Sequence, residues 1–198
     1  MKKIPTLFER VYENHRVVDI RQNITPGCEK AFLHGIATLK IDGSCCAIIN
    51  GEFYKRYDAK EGKKPPIGAI PCCEPDPITG HHPHWVKVDS NNPSDKWFWR
   101  AYLIAKEIDG VVEDGTYEAV GKHFNGNPYN MKTDRLERHG CREIFVKRTF
   151  EDVKEYLRTN AVEGIVFWFN EEPVCKIKRS DFGFDWPVRK EDRNGSNI

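Results

Sequence analysis

The chain has 198 residues with a formal net charge of +1, 31% charged and 39% hydrophobic residues. This length fits one domain, 1–198, with a real core, and the near-neutral charge excludes a generic polyanion binder while leaving room for local basic patches. No apolar run is long enough to cross a bilayer and no signal peptide is evident, so we expect no membrane association and a cytoplasmic protein whose seven cysteines stay reduced, most of them as small buried hydrophobes.

In chain order, Ile4, Leu7, Phe8, Val11 and Tyr12 recur at helical spacing around Pro5, which predicts a short amphipathic helix. Pro26–Gly27 marks a turn. Residues 36–40 read as a strand running into the Asp42–Gly43 turn, with Ile36, Thr38 and Lys40 on one face and Ala37, Leu39 and Ile41 on the other. An ammonium at the end of such a strand is poor core filler. Asn50–Gly51, set between two β-prone runs, predicts an antiparallel hairpin fed by that strand. Residues 60–93 hold seven of the twelve prolines with Cys72, Cys73, His81, His82 and His84, and read as one long ordered loop anchored by Trp85. Three readings stay open for it: a surface loop, a substrate-facing lid, or zinc held by a Cys and the His trio, although the spacing matches no ordinary zinc signature.

Trp97, Ala101, Ile104, Ala105 and Ile108 form a helical stripe. Asp114–Gly115 turns into a strand over 116–121, and 122–142 reads as a polar loop. Thr149 and Asp152 suit a helix cap ahead of the stripe Phe150, Val153 and Leu157. Glu163–Gly164 opens an apolar strand over 165–169. The chain turns at 170–173, and strict alternation over 174–178 puts Lys176 and Lys178 on one face. Residues 187–198 read as a frayed tail. This order predicts an α+β fold built on antiparallel sheets.

Several of these positions are suited to phosphoryl chemistry. A lysine is a weak nucleophile at neutral pH: with an ordinary pKa of about 10.4, the neutral amine stands roughly 4–5 kcal/mol above the ammonium. Nearby cations, a divalent metal or desolvation would release Lys40 from this handicap. Lys176 and Lys178 supply like charge and neutralise phosphate. Glu118 and Glu163 sit at or beside strands where a carboxylate can hold Mg²⁺ or a ribose hydroxyl. Lys55 and Arg56 follow the hairpin turn within reach of phosphates.

Taken as an ordered set over roughly residues 35–180, these positions resemble the covalent nucleotidyltransferases, the superfamily of ATP-dependent ligases and capping enzymes. Lys40-Ile41-Asp42-Gly43 is similar to motif I, which implies Lys40 as the nucleophile and a nucleotide contact at Asp42 and Gly43. Lys55-Arg56 resembles motif Ia, with Arg56 on the nucleotide and both side chains on RNA phosphate. Tyr117-Glu118-Ala119-Val120-Gly121 resembles motif III, whose Glu binds the ribose. Glu163-Gly164-Ile165-Val166 resembles motif IV, implying Glu163, and with it Glu118, as metal-facing carboxylates and Val166 as a contact to adenine. Lys176-Ile177-Lys178 is similar to motif V, whose two lysines contact the α-phosphate. Phe145 is the placed candidate for the aromatic that stacks on the base.

Lys-Ile-Asp-Gly-Ser-Cys-Cys at 40–46, the Asp-Pro-Ile-Thr-Gly-His loop ending at Trp85, and Asp-Phe-Gly-Phe-Asp-Trp-Pro after motif V resemble the RNA ligase 1 family of 5′-to-3′ RNA ligases. That resemblance implies a nucleotidyltransferase, ATP-grasp-like ligase catalytic core of antiparallel sheets with flanking helices. It also implies ATP with Mg²⁺ or Mn²⁺ as cofactors, and RNA with 5′-phosphate and 3′-hydroxyl ends as partner. No obligate protein partner is called for. The expected activity is RNA joining through a lysyl-AMP and an adenylylated RNA, in RNA repair. The segment after motif V is too short for the OB-fold domain of DNA ligases and capping enzymes, which counts against the GTP-using capping alternative. A non-catalytic RNA-end-binding module is the other rival; it would need no Lys40 nucleophile.

Overall fold

The computed structural model describes residues 3–14, 16–77 and 79–188. In chain order the elements begin with β1 (Phe8–Glu13), β2 (Arg16–Ile24), α1 (Glu29–His34) and β3 (Ile36–Lys40). Next come β4 (Ser44–Ile49), β5 (Glu52–Ala59), β6 (Ile70–Pro71) and β7 (His82–Lys87). These are followed by α2 (Lys96–Asp109), β8 (Gly115–Val120) and β9 (Arg135–Arg138). The last elements are β10 (Glu143–Ile144), α3 (Phe150–Thr159), β11 (Gly164–Phe169) and β12 (Glu172–Lys178). All strand pairs of the three sheets are antiparallel, so the fold is α+β as the sequence predicts. No helix among the described residues is long and apolar enough to cross a membrane.

The chain forms two compact units and passes between them at Ile41/Asp42 and again at His139/Gly140. The unit made of Ile4–Ile41 and 140–188 holds the β1–β2 ribbon and the sheet β10-β3-β11-β12. One face of that sheet carries Ala37, Ile165, Phe167, Cys175 and Ile177 into a core shared with Phe32, Val153 and Leu157. α3 forms because Thr149 caps it, its hydroxyl accepting the Asp152 N–H at 3.1 Å, and because Glu151 and Asp152 face the positive end of the helix dipole. Val153 and Leu157, four residues apart, point into the core and are fully buried, each worth about 1.5–3 kcal/mol of transfer free energy.

The unit made of 42–139 with Lys3 contains the six-stranded sheet β6-β7-β5-β4-β8-β9. α2 packs Ala101, Tyr102 and Ala105 inward, and the Tyr102 ring stacks on Phe53 at 4.9 Å. Cys46, Ile48, Phe53, Tyr117 and Ala119 complete this core. The smaller cluster of Ala47, Tyr54 and Trp85 anchors β7. The hairpin expected at Asn50–Gly51 joins β4 to β5. No disulfide links any of the seven cysteines.

Three expectations are corrected. Residues 4–12 are extended rather than helical. The Leu7 N–H donates to the Lys176 carbonyl at 2.7 Å and the Lys176 N–H donates to the Pro5 carbonyl at 3.0 Å, so β12 draws this segment straight before it pairs with β2. The apolar spacing that mimicked a helix has another cause: Leu7 and Phe8 are both buried beside a register shift, whereas Tyr12 is exposed. Residues 60–93 are not one loop, since 82–87 form a strand between β5 and β6. Within 122–142, Arg-Leu-Glu-Arg forms edge strand β9, where backbone pairing to β8 outweighs a side-chain pattern with one apolar residue. Of the tail expected at 187–198, residues 189–198 lie outside the described residues, and Val188 is buried.

Candidate active site

Register builds the first cluster. Lys40 on β3 stands opposite Gly164 on β11, and Gly164 stands opposite Lys178 on β12. Directly opposed residues of antiparallel strands share a face, so the two lysines flank a residue with no side chain. A Cβ on Gly164 would lie 2.2 Å from the Ile177 carbonyl oxygen, so only glycine fits the close approach here. The next row is Thr38, Val166 and Lys176, on the same face by alternation. This is the face the sequence assigns to Lys40, Lys176 and Lys178, with the apolar core on the other side.

Glu163 precedes β11 and ties the row together. Its Oε2 accepts from Lys40 Nζ at 2.6 Å and its Oε1 lies 2.8 Å from Lys178 Nζ. The carboxylate is buried and both ammonium groups keep partial access to solvent. Lys176 has its pKa lowered to about 8, first by burial and then by the like charges of Lys40, Lys178 and Arg10. Arg10 on β1 was not picked out from the sequence. Its guanidinium donates twice to Asp181, at 3.0 and 2.6 Å, and the other Asp181 oxygen accepts the Lys178 N–H at 2.8 Å, fixing the end of β12. Four cations thus meet two carboxylates, leaving an excess of positive charge suited to an anion.

Phe145, in the same unit, is 88% exposed, and Val166 is half-buried between Thr38 and Lys176. The remaining candidates lie in the six-stranded unit. The Asp42 carboxylate accepts from Asn125 Nδ2 at 2.6 Å and its N–H donates to the Tyr129 hydroxyl at 2.7 Å. Asn125 and Tyr129 belong to a turn-rich stretch, Asn125-Gly126-Asn127-Pro128-Tyr129-Asn130, whose three asparagines all have positive φ. That composition is the one signal that marked them. Gly43 packs against β8, where a Cβ would lie 2.5 Å from the Ala119 carbonyl oxygen. Lys55 is ion-paired with the buried Asp95, and Arg56 approaches Asp58 at 3.9 Å. Glu118 is buried beside His139, its Oε1 lying 3.2 Å from His139 Nε2.

Glu163 directs each oxygen at an ammonium, so its carboxylate is engaged in two ion pairs and the Lys40 cluster carries a surplus of positive charge rather than a set of converging carboxylates. In the loop for which zinc was one of three open readings, His82 Nε2 lies 2.7 Å from the Cys73 carbonyl and His84 Nδ1 lies 2.8 Å from the His82 carbonyl. Among the described residues, the Cys/His/carboxylate group with ligand spacing is Cys45, Glu118 and His139.

Compared with known proteins, the chain matches no family model. It is similar to RNA ligase 1 of Rattus norvegicus, at 26% identity across 78% of this chain and 69% of that protein. It is also similar to RNA ligase 1 of Danio rerio, at 26% identity across 94% of this chain and 82% of that protein, and to RNA ligase 1 of Pongo abelii, at 24% identity across 77% and 69%.

Proposed function

From the similarity to the RNA ligase 1 family, which bears out the resemblance read from the motifs, we propose that this chain is an ATP-dependent RNA ligase with a nucleotidyltransferase core, acting in RNA repair. The observation that carries the reading is the Lys40 amine held 2.6 Å from a buried carboxylate in a cluster with a surplus of positive charge.

A proton must leave Lys40 Nζ before it attacks, and Glu163 Oε2 is within hydrogen-bond reach to accept it. The free amine attacks the α-phosphorus of ATP, the bond to the bridging oxygen of the β-phosphate breaks, and pyrophosphate leaves. Lys176 and Lys178 neutralise charge on the α-phosphate as it builds. A 5′-phosphate oxygen of RNA then attacks the lysyl-AMP phosphorus and frees the lysine. Finally an RNA 3′-hydroxyl attacks the 5′-phosphate, forming the phosphodiester and expelling AMP. Glu163 is the residue that would hold Mg²⁺ or Mn²⁺, which would add charge neutralisation at the phosphates. From the motif resemblance, Asp42, Gly43, Arg56, Glu118, Val166 and Phe145 are assigned to the nucleotide and Lys55 with Arg56 to RNA phosphate. For Lys55 this requires exchanging Asp95 for phosphate.

The test is sealing of RNA carrying a 5′-phosphate and a 3′-hydroxyl, with ATP or GTP supplied separately. We expect joined product with ATP from the native chain and none from Lys40→Ala. Product from Lys40→Ala, or dependence on GTP, would overturn the reading.

A further inference from the structure

The six-stranded unit contains a second constellation. Cys45 on β4 and Glu118 on β8 are directly opposed across the ladder. His139 follows β9 and is fixed beside β8 by its N–H, which donates to the Thr116 carbonyl at 3.0 Å. The Cys45 thiol, a Glu118 carboxylate oxygen and a His139 ring nitrogen all lie within 4.8 Å of one another. Ligands around a tetrahedral ion with bonds of roughly 2.0–2.3 Å are some 3.3–3.8 Å apart, so rotamer adjustments of about an ångström close the ring.

Two details of the cluster suit a cation. The Glu118 Oε2 atom is buried with no hydrogen-bond partner. A bare carboxylate oxygen in that position is destabilising unless a positive charge meets it. The His139 Nδ1 lies 2.8 Å from the Thr116 hydroxyl. With Nδ1–H donating to that oxygen, Nε2 presents its lone pair toward Glu118, the tautomer and orientation that metal-binding histidines take from an outer partner. Without an ion, the Thr116 hydroxyl donates instead and Nε2–H points at the carboxylate, so the same atoms serve both states.

We propose that Cys45, Glu118 and His139 bind one divalent transition-metal ion, with a fourth position open to water or a small ligand. Sulfur, imidazole and carboxylate donors together select Zn²⁺ and disfavour Mg²⁺. Binding replaces the thiol proton, which leaves to solvent, by a metal–sulfur bond. The ligase reading also lays claim to Glu118, through the ribose, but the metal site does not rest on it.

The full chain is stripped of metal with a chelator and titrated with Co²⁺, whose bond to a thiolate gives near-ultraviolet charge-transfer absorption that oxygen ligands do not produce. We expect one Co²⁺ per chain with that absorption, displaced by Zn²⁺, the ion that tetrahedral sites of Cys, His and carboxylate ligands favour. Cys45→Ser should abolish the absorption. Thr116→Val should weaken affinity about tenfold or more, the scale for an outer partner. Cys72→Ser and Lys40→Ala should leave the absorption intact, which keeps this result separate from the fate of the ligase reading. Absence of a thiolate band in the native chain, survival of the band in Cys45→Ser, or its loss in Cys72→Ser would overturn the proposal.

Discussion

Glu163 is where the two lysine ends meet, and a neutral isostere tests what it does. A glutamine at this position would keep the shape while losing the proton acceptor at 2.6 Å from Lys40. We expect Glu163→Gln to slow single-turnover AMP transfer at saturating ATP by about a hundredfold or more, the usual scale for a positioned base. ATP binding should change little, because the substitution removes negative charge from the proposed phosphate site. A near-native rate would show that Glu163 merely holds the two lysines in ion pairs. Lys176 makes a different prediction. Its pKa falls from 10.5 to about 8 in the folded chain, mainly through burial. Between those values the unfolded chain holds a proton that the folded chain has released, so stability rises with pH across that window and is lowest in this respect below it. Lys176→Met should therefore stabilise the protein at neutral pH by ~1–3 kcal/mol, with the gain shrinking as pH climbs toward 10.5. The same substitution should depress AMP transfer if Lys176 neutralises the α-phosphate as proposed. Urea midpoints at several pH values check the first part; a constant or negative difference would contradict it.

At the scale of elements, the β3-β11-β12 register is what aligns the lysines, and Gly164 permits it. A methyl at 2.2 Å from the Ile177 carbonyl oxygen must push β11 from β12. We expect Gly164→Ala to destabilise the protein by about 2–3 kcal/mol, toward the upper end for overpacking because the obstacle is backbone. Thr149→Ala should remove about 1 kcal/mol by uncapping α3. Thermal or denaturant unfolding checks both, and equal effects from the two would mean that the strand contact relaxes freely. Elements whose signal is local were legible in the sequence: the Asn50–Gly51 hairpin, the Thr149 cap, and the alternation that puts Lys176 and Lys178 on one face. Elements created by a distant partner were not. Residues 4–12 carry a pattern compatible with a helix, and only the hydrogen bonds of Leu7 and Pro5 with Lys176 show otherwise. β9 has almost no pattern and exists because β8 offers an edge. Arg10 escaped notice for the same reason, since its role comes from Asp181, 171 residues away.

For the molecule as a whole, the sequence showed one domain's worth of chain without a visible boundary. The chain changes units at Ile41/Asp42, inside the motif that contains Lys40, Asp42 and Gly43. Composition could not mark that point, because the motif is continuous in sequence while its ends serve different sheets. Lys40 and the Lys176/Lys178 pair come from distant stretches and share one sheet face, and Glu163, just before β11, reaches Lys40 and Lys178, an arrangement that local propensity alone could not supply. The reading of this chain as a ligase depends on that face making a covalent bond to a nucleotide. Intact-mass and peptide mass spectrometry of the full chain after exposure to ATP and Mg²⁺ measures this directly. A single AMP adduct on the peptide bearing Lys40, absent from Lys40→Ala, is the result expected. No adduct, or an adduct on another residue that survives Lys40→Ala, would contradict the account.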